Sequence, residues 1–250
     1  MPSSDPEPQD HGGVLASIQS VAGTTVIAVF IITFLVQAFQ IPSESMENTL
    51  LIGDYLLVDK VQFAPKGFWG RLLPYREVEQ GDIVVFRYPV RPAEHFVKRV
   101  VALPGDRLHL ENRQLFVNGQ PLLERYTIHK GTGRDAYRDN FPRSGSPALN
   151  MDARWWQEMR RQMQDGELVV PEGKFFVLGD NRDESLDSRY WGFVPRENIV
   201  GRPLLIYWSV DAAPGNGAAA SADGTLSTVV SSVTHLIQGA RWNRTFRIVR

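Results

Sequence analysis

The chain has 250 residues, a formal net charge of −1 and no cysteine. The lack of cysteine excludes disulfides, thiolate catalysis and cysteine-liganded zinc, and the near-neutral charge gives no reason to expect nucleic acid as a partner. The length suffices for one large domain or two small ones together with a membrane anchor.

The N-terminal region combines a polar tail with a long uncharged run. Residues 1–13 are polar and contain several prolines, which predicts a disordered tail. Residues 11–43 contain no Asp, Glu, Lys or Arg, and about 20 apolar residues suffice to cross a bilayer as a helix. We therefore predict one transmembrane helix over residues 14–40. A buried core helix would show a polar face, and a cleaved signal peptide would begin with basic residues.

Short strands separated by turns follow the uncharged run. Alternating or β-branched segments are typical of strands, and Asn118-Gly119 is a strong hairpin signal. The segments that fit this pattern are residues 50–60, which contain a Gly-Asp turn, and residues 82–88, 96–103, 107–110, 114–117, 167–170, 174–178 and 199–210. The sequence thus predicts a mainly β protein, in which an antiparallel β-sheet domain over residues 41–210 is preceded by the transmembrane helix.

Two stretches depart from the strand pattern. Residues 125–165 are rich in Gly, Arg, Asp, Pro and Ser, which indicates an insertion with one short helical piece at residues 153–163. Residues 211–250 begin as an Ala/Gly/Ser linker and continue as an amphipathic and then a basic segment, in which arginines alternate with Trp242, Phe246 and Ile248. That basic segment fits anionic lipid and pairing into the sheet equally well.

Three blocks hold the reactive residues, namely residues 41–50, 95–106 and 179–193. Ser45 follows the uncharged run and needs a base to become a nucleophile. Lys98 shares a strand face with Phe96 in an apolar setting that lowers the pKa of a lysine. His95 lies on the opposite face, and a triad of Ser45, His95 and Asp187 is the alternative arrangement.

The third block also alternates like a calcium-binding loop. Asp183, Ser185 and Asp187 would take the first, third and fifth positions. However, Ser188 stands where the loop needs glycine, and Val194 stands where it needs the closing glutamate. We therefore expect no metal.

Together, and in this order, the blocks resemble the conserved boxes of type I signal peptidases, the bacterial leader peptidases with a serine–lysine dyad. The resemblance covers residues 39–210 and is sharpest at residues 42–46 (Pro-Ser-Glu-Ser-Met), 96–106 and 179–192. It implies that Ser45 is the nucleophile and Lys98 the general base. The oxyanion hole would consist of the Ser43 hydroxyl and the Ser45 backbone N–H.

The resemblance also assigns residues around the dyad. Ser185 would orient the lysine, and Asp187 with Arg189 would form a supporting ion pair, near which Arg182 and Asp183 also match the motif. The small substrate pockets would be lined by Phe39, Ile41, Pro42, Met46, Leu50, Leu56, Val85, Phe96 and Val97. Three positions depart from the usual pattern: Glu44 replaces glycine, Asn48 replaces proline, and Glu184 replaces asparagine.

The implied activity is that of a serine-type endopeptidase in protein secretion. Such a hydrolase removes signal peptides from exported preproteins after Ala-x-Ala-like sites through an acyl-enzyme, with no cofactor. Its partners would be signal peptides and membrane lipid. Its location would be the cytoplasmic (inner) membrane, single-pass, with the catalytic domain outside. Charge does not settle this orientation, because Lys60 is the first basic residue. The alternatives are a narrow-specificity precursor-processing peptidase and a non-catalytic, membrane-tethered β-domain that binds exported chains.

Overall fold

The computed structural model describes residues 11–63, 75–131, 133–211 and 239–249. The expected disordered tail up to residue 10 lies outside the described residues, as does most of the expected linker and amphipathic segment, residues 212–238.

The N-terminal helix is shorter at its carboxyl end than the sequence predicted. Helix α1 (His11–Phe30) continues as a π-helical turn (Ile31–Leu35), and we call residues 11–35 the apolar helix. Within it, Ala16–Leu35 has a mean hydropathy of 2.0 and is long and apolar enough to cross a membrane. The backbone then becomes extended as strand β1 (Val36–Gln40). The predicted helix over residues 14–40 is therefore wrong at its end.

The physical reason is strand pairing, which hydropathy does not reveal. Strand β1 pairs antiparallel with β2 (Asp54–Asp59) through five residue pairs that start at Val36↔Asp59. The backbone N–H and C=O groups of residues 36–40 find partners on a neighbouring strand there, so these residues gain more from the sheet than from another helical turn.

In the described part of the chain, the remaining elements are eleven strands, two α-helices and two short 3₁₀ turns, Glu44–Met46 and Arg196–Asn198. The strands are β3 (Ile83–Arg87), β4 (His95–Ala102), β5 (Arg107–Glu111), β6 (Gln114–Val117), β7 (Gln120–Pro121), β8 (Met163–Gln164), β9 (Glu167–Val169), β10 (Lys174–Leu178), β11 (Val194–Pro195), β12 (Ile199–Ser209) and β13 (Arg247–Ile248). The helices are α2 (Ala153–Gln162) and α3 (Ser188–Trp191).

The strands form two antiparallel sheets. The larger follows the order β1-β2-β12-β3-β4-β10-β11, with β13 also paired to β12, and the smaller follows β7-β6-β5-β9-β8. The Asn118-Gly119 turn has two positive φ angles, 52° and 73°, and joins β6 to β7 as its sequence predicts. These observations confirm the mainly antiparallel β fold with one N-terminal apolar helix.

The stretch predicted as an insertion is packed into the domain. Tyr137, Phe141 and Trp155 are buried in the core between the insertion and the smaller sheet. Helix α2 starts at Ala153 because the Asp152 side chain accepts hydrogen bonds from the first backbone N–H groups of the helix. The Trp155 indole and the Tyr137 hydroxyl both donate to the carbonyl oxygen of Arg189, so the stretch supports the third block.

The basic C-terminal segment pairs into the sheet, one of the two options that its sequence left open. Strand β13 lies against β12, and the Arg244 guanidinium forms an ion pair with the fully buried Asp54 carboxylate. The same guanidinium donates to the carbonyl oxygen of Thr49 at 3.0 Å, close to the first block.

Candidate active site

Ser45 lies in a 3₁₀ turn that follows the end of β1. The turn covers Glu44–Met46, and its shape is held by the buried side chains of Met46 and Leu50. The Asn181 backbone N–H donates to the carbonyl oxygen of Ser45 at 3.1 Å, which joins the turn to the third block. The Ser45 side chain is thereby fixed at the bottom of a groove, with 7% of the residue exposed.

Lys98 meets Ser45 from strand β4. Its Nζ lies 2.7 Å from Ser45 Oγ and 3.1 Å from the carbonyl oxygen of Val97, and the residue is only 4% exposed. The Phe96 ring covers the ammonium, with its centroid 5.5 Å from Nζ. Burial lowers the pKa of Lys98 to about 8, against the opposing effect of nearby carboxylates, of which Asp187 is the strongest. Part of the lysine is therefore neutral near pH 7 and able to accept a proton.

His95 does not reach the serine. It is exposed at the rim of the groove, where its ring lies 5.3 Å from the Phe39 ring. Among the described residues its ring makes no hydrogen bond to Ser45 or Asp187, so a triad of Ser45, His95 and Asp187 is not assembled. The structure places Lys98, and not His95, within hydrogen-bond distance of Ser45.

Ser43 lies beside the nucleophile candidate. Its Oγ is 3.3 Å from Ser45 Oγ, and the residue is exposed on the groove side of the turn. A hydroxyl at this position is close enough to donate to an oxygen bound next to Ser45, which is the geometry that an oxyanion hole requires.

The third block supplies a buried ion pair behind Ser45 and Lys98. Arg189 binds both oxygens of Asp187, through Nε at 2.9 Å and Nη2 at 2.7 Å, and the Gly179 backbone N–H also donates to this carboxylate. Burial opposes the ionisation of Asp187, but Arg189 outweighs it and lowers the pKa of the carboxylate. The pair is thus charged in the interior, and its negative partner raises the pKa of Lys98.

Ser185 lies in the same interior but is not bonded to the lysine. Its Oγ is buried and has no partner within hydrogen-bond distance among the described residues, but the hydroxyl lies close enough to Asp187 to help lower the pKa of that carboxylate. The Oγ packs against Gly179, where an added Cβ would lie 2.2 Å from Ser185 Oγ and 2.4 Å from the Ser45 carbonyl oxygen. Glycine is therefore required where the third block passes the turn that contains Ser45.

Two other residues of the third block lie apart from the dyad. Arg182 forms an ion pair with Glu124. Asp183 is bound by His129 and Arg138, residues of the stretch predicted as an insertion. Their contacts attach that stretch to the block and do not involve Ser45 or Lys98.

Three residues that were not predicted as site residues join the three blocks. Arg99, next to the lysine, binds both oxygens of Asp180 at 2.9 and 2.7 Å, and the Thr49 hydroxyl donates to the same carboxylate at 2.5 Å. Each block thus contributes one member to a buried polar cluster. The sequence contained one indication of this pair: Arg99 lies in a β-rich segment and Asp180 in another block, and such charged residues are rarely buried unless they are paired.

The groove beside the dyad has a volume of about 310 Å³. Six of the residues predicted for the substrate pockets line it: Phe39, Ile41, Pro42, Met46, Phe96 and Val97. The other three, Leu50, Leu56 and Val85, are fully buried beneath it in a cluster that includes Ile41 and Met46. Four lining residues were not predicted: Gln40, His95, Glu184 and Leu186.

The departures from the usual motif have local consequences. Asn48 has a φ of +81°, a conformation that proline, fixed near −65°, does not adopt and that asparagine tolerates. The turn after Ser45 therefore has a shape suited to the residue present. Glu44 is exposed next to Ser45, and Glu184 places a carboxylate on the groove wall.

Comparison with known proteins gives a consistent set of matches. Residues 14–208 match the family model described as signal peptidase, peptidase S26. Signal peptidase I of Pseudomonas fluorescens is 36% identical over 193 residues, which cover 71% of this chain and 66% of the relative, just under two thirds of its length. Signal peptidase I of Aquifex aeolicus is 36% identical, with 72% and 78% covered, and that of Leptolyngbya laminosa is 32% identical, with 82% and 85% covered.

Proposed function

The chain belongs to the signal peptidase family, peptidase S26, and from that premise we propose that it removes signal peptides from exported preproteins as a membrane-bound enzyme. Membership confirms the resemblance and the class that the three blocks implied, a serine-type endopeptidase. The observation that carries the proposed mechanism is the 2.7 Å contact between Lys98 Nζ and Ser45 Oγ, two residues that are both buried at the bottom of the groove.

The reaction begins when the neutral amine of Lys98 accepts the proton of the Ser45 hydroxyl. Ser45 Oγ attacks the scissile carbonyl carbon, and the resulting oxyanion accepts hydrogen bonds from the Ser45 backbone N–H and the Ser43 hydroxyl. The Lys98 ammonium then gives its proton to the leaving amine, which leaves an ester on Ser45. Lys98 next deprotonates a water molecule, whose attack on the ester releases the signal peptide and restores the serine.

The shape of the groove is consistent with a substrate that has small side chains at two positions separated by one residue. An extended peptide alternates its side chains, so every second one would point into the groove. The fully buried layer of Leu50, Leu56 and Val85 fills the space below and keeps the pockets shallow. This supports cleavage after small-x-small sequences of the Ala-x-Ala kind.

The apolar helix supports a membrane location. It ends at Leu35, and only five residues of β1 separate it from the turn residues that line the groove. We place the helix across the cytoplasmic (inner) membrane, single-pass, with the groove at its outer surface. Membrane lipid and signal peptides are then the partners, because the scissile bond of an exported preprotein emerges at that surface.

A narrower substrate set is the second candidate. Glu184 lines the groove and Glu44 stands exposed beside Ser45, so two carboxylates flank the site. They favour substrates with a basic residue near the cleavage point over acidic ones.

The proposal is tested with the full chain in detergent and a preprotein that carries an Ala-x-Ala site. We expect a single cut after the second alanine, measured from the mass of the released fragment, and loss of that cut when this alanine is replaced by phenylalanine. A serine-directed acylating probe should label Ser45. An unlabelled serine together with tight preprotein binding would show the non-catalytic, binding domain instead.

A further inference from the structure

Two of the last carbonyl groups of the apolar helix are bonded by Lys60, the residue that follows strand β2. Its Nζ donates to the carbonyl oxygen of Thr33 at 2.9 Å, and its backbone N–H donates to the carbonyl oxygen of Leu35 at 2.9 Å. Both acceptors belong to the π-helical turn Ile31–Leu35. The last four carbonyls of a helix have no partner inside the helix, and the hydrocarbon of a bilayer supplies none. A cation at this end also complements the helix dipole.

The same contact joins the helix to the active-site groove without a linker. The Val36 N–H donates to the carbonyl oxygen of Ile31, and Val36 pairs in the sheet with Asp59, the residue before Lys60. Strand β1 then continues to Phe39, which lines the groove. Strand β2 therefore holds the start of β1, and Lys60 directly after β2 holds the end of the helix, so the direction of the helix is set relative to the groove.

We propose that Lys60 is a positioning residue that fixes the height and tilt of the groove above the membrane, and thereby favours preproteins whose cleavage site is held at the bilayer surface. This inference rests on the proposed function. A membrane-inserted substrate holds its scissile bond close to the bilayer surface and in one orientation. The effective concentration of that bond at Ser45 therefore depends on the height and tilt of the groove above the membrane. A water-soluble peptide approaches from any direction and does not depend on it.

The activity test compares two substrates with one cleavage sequence, a preprotein inserted in liposomes and a short soluble peptide. For Lys60→Met we expect cleavage of the inserted preprotein to fall about tenfold, the size that one charge-assisted hydrogen bond supports. Cleavage of the soluble peptide should stay within about twofold, since the dyad is untouched. Lys60→Arg keeps a donor and should restore most of the loss.

The matched control is Lys174→Met, which removes a lysine that pairs with Glu158. It should change neither rate. An equal fall of both substrates in Lys60→Met, or no fall in either, would overturn the proposal. If wild-type enzyme cleaved neither substrate, the proposed function itself would fail, and the position of the helix would then be measured without activity.

That measurement uses the absence of native cysteine. Spin labels are attached to the cysteines of a Ser20→Cys, Glu111→Cys protein in lipid nanodiscs, one label on the apolar helix and one on the smaller sheet. We expect a narrow distance distribution that broadens when Lys60→Met is added and stays narrow with Lys174→Met. An unchanged distribution would show that Lys60 does not position the groove.

Discussion

The acid limb of the pH–rate profile should report the pKa of Lys98. Burial lowers that pKa from 10.5 to about 8, so the neutral fraction at pH 7 rises from about 0.03% to about 9%, roughly 300-fold. Because only the neutral amine accepts the Ser45 proton, kcat/KM should rise about tenfold per pH unit below pH 8 and level off above it.

Removal of the Phe96 ring, which shields the Lys98 ammonium from water, should shift the acid limb of the pH–rate profile to higher pH. The Phe96 ring lies over Nζ and is stacked on Tyr88 at 4.4 Å, so Phe96→Ala admits water to the ammonium. Hydration favours the charged form and raises the pKa toward 10.5. A rise of one pKa unit would lower the rate at pH 7 about tenfold relative to the rate near pH 10, and this ratio separates the pKa effect from the loss of the Phe96 ring as part of the groove lining.

The assay is the initial rate of hydrolysis of a soluble peptide between pH 6 and pH 10.5. Phe116→Ala is the matched control, because that ring stacks on His109 in the smaller sheet, and it should leave the limb in place. If the acid limb had its midpoint near pH 6.5 and Phe96→Ala did not move it, Lys98 would not be the base, and a histidine base would be indicated. A wild-type midpoint near 10 would show that burial does not lower the pKa.

Three further predictions concern the interior of the site. Lys98→Met should be inactive but more stable than wild type at pH 7 by about 1–3 kcal/mol, because an apolar side chain replaces a buried cation. Between about pH 8 and pH 10.5 the Lys98 amine is protonated in the unfolded wild-type chain but neutral in the folded one. The stability of the wild type should therefore rise toward that of Lys98→Met as the pH rises through that window. Gly179→Ala should lose activity at least about 100-fold, since its Cβ would displace the carbonyl oxygen of Ser45. Arg244→Met should lower the free energy of unfolding by about 1–3 kcal/mol, because the buried Asp54 carboxylate loses its two hydrogen bonds from Arg244 and keeps only Arg241, at 3.6 Å, as a cationic partner.

Urea denaturation and peptide hydrolysis measure these effects, and each has a matched control. Gly145→Ala adds a Cβ where nothing lies within 4 Å and should be neutral. Arg91→Ala breaks the exposed ion pair with Glu94 and should cost less than about 1 kcal/mol. A destabilised Lys98→Met, an active Gly179→Ala or an Arg244→Met no less stable than Arg91→Ala would each contradict the interaction that it probes.

Local patterns in the sequence predict many of the strands and turns of the fold. The Asn118-Gly119 turn and the strands on either side of residues 89–94 appear where alternation and turn chemistry predict them. The helix boundary at Leu35 did not follow from the sequence, because residues 36–40 are as uncharged as a membrane helix and only their pairing with β2 makes them a strand. Hydropathy measures composition and contains no information on a partner strand.

In the site, too, local patterns predict some features, whereas others depend on partners that are distant in the sequence. Strand alternation on β4 separates Lys98 from His95, and the structure brings only the lysine to Ser45. The link from Arg244 to Asp54 spans 190 residues, so no local pattern indicates it. The orphaned hydroxyl of Ser185 was equally out of reach, since hydrogen-bond partners in a buried site depend on side-chain positions that sequence spacing does not fix.

Cleavage of an Ala-x-Ala preprotein in detergent by wild type, Ser45→Ala, Lys98→Ala and His95→Ala, measured side by side, decides whether Ser45 and Lys98 form the catalytic dyad. We expect Ser45→Ala and Lys98→Ala to lose cleavage and His95→Ala to cleave at a rate near that of the wild type. Loss in His95→Ala together with cleavage by Lys98→Ala would contradict the dyad.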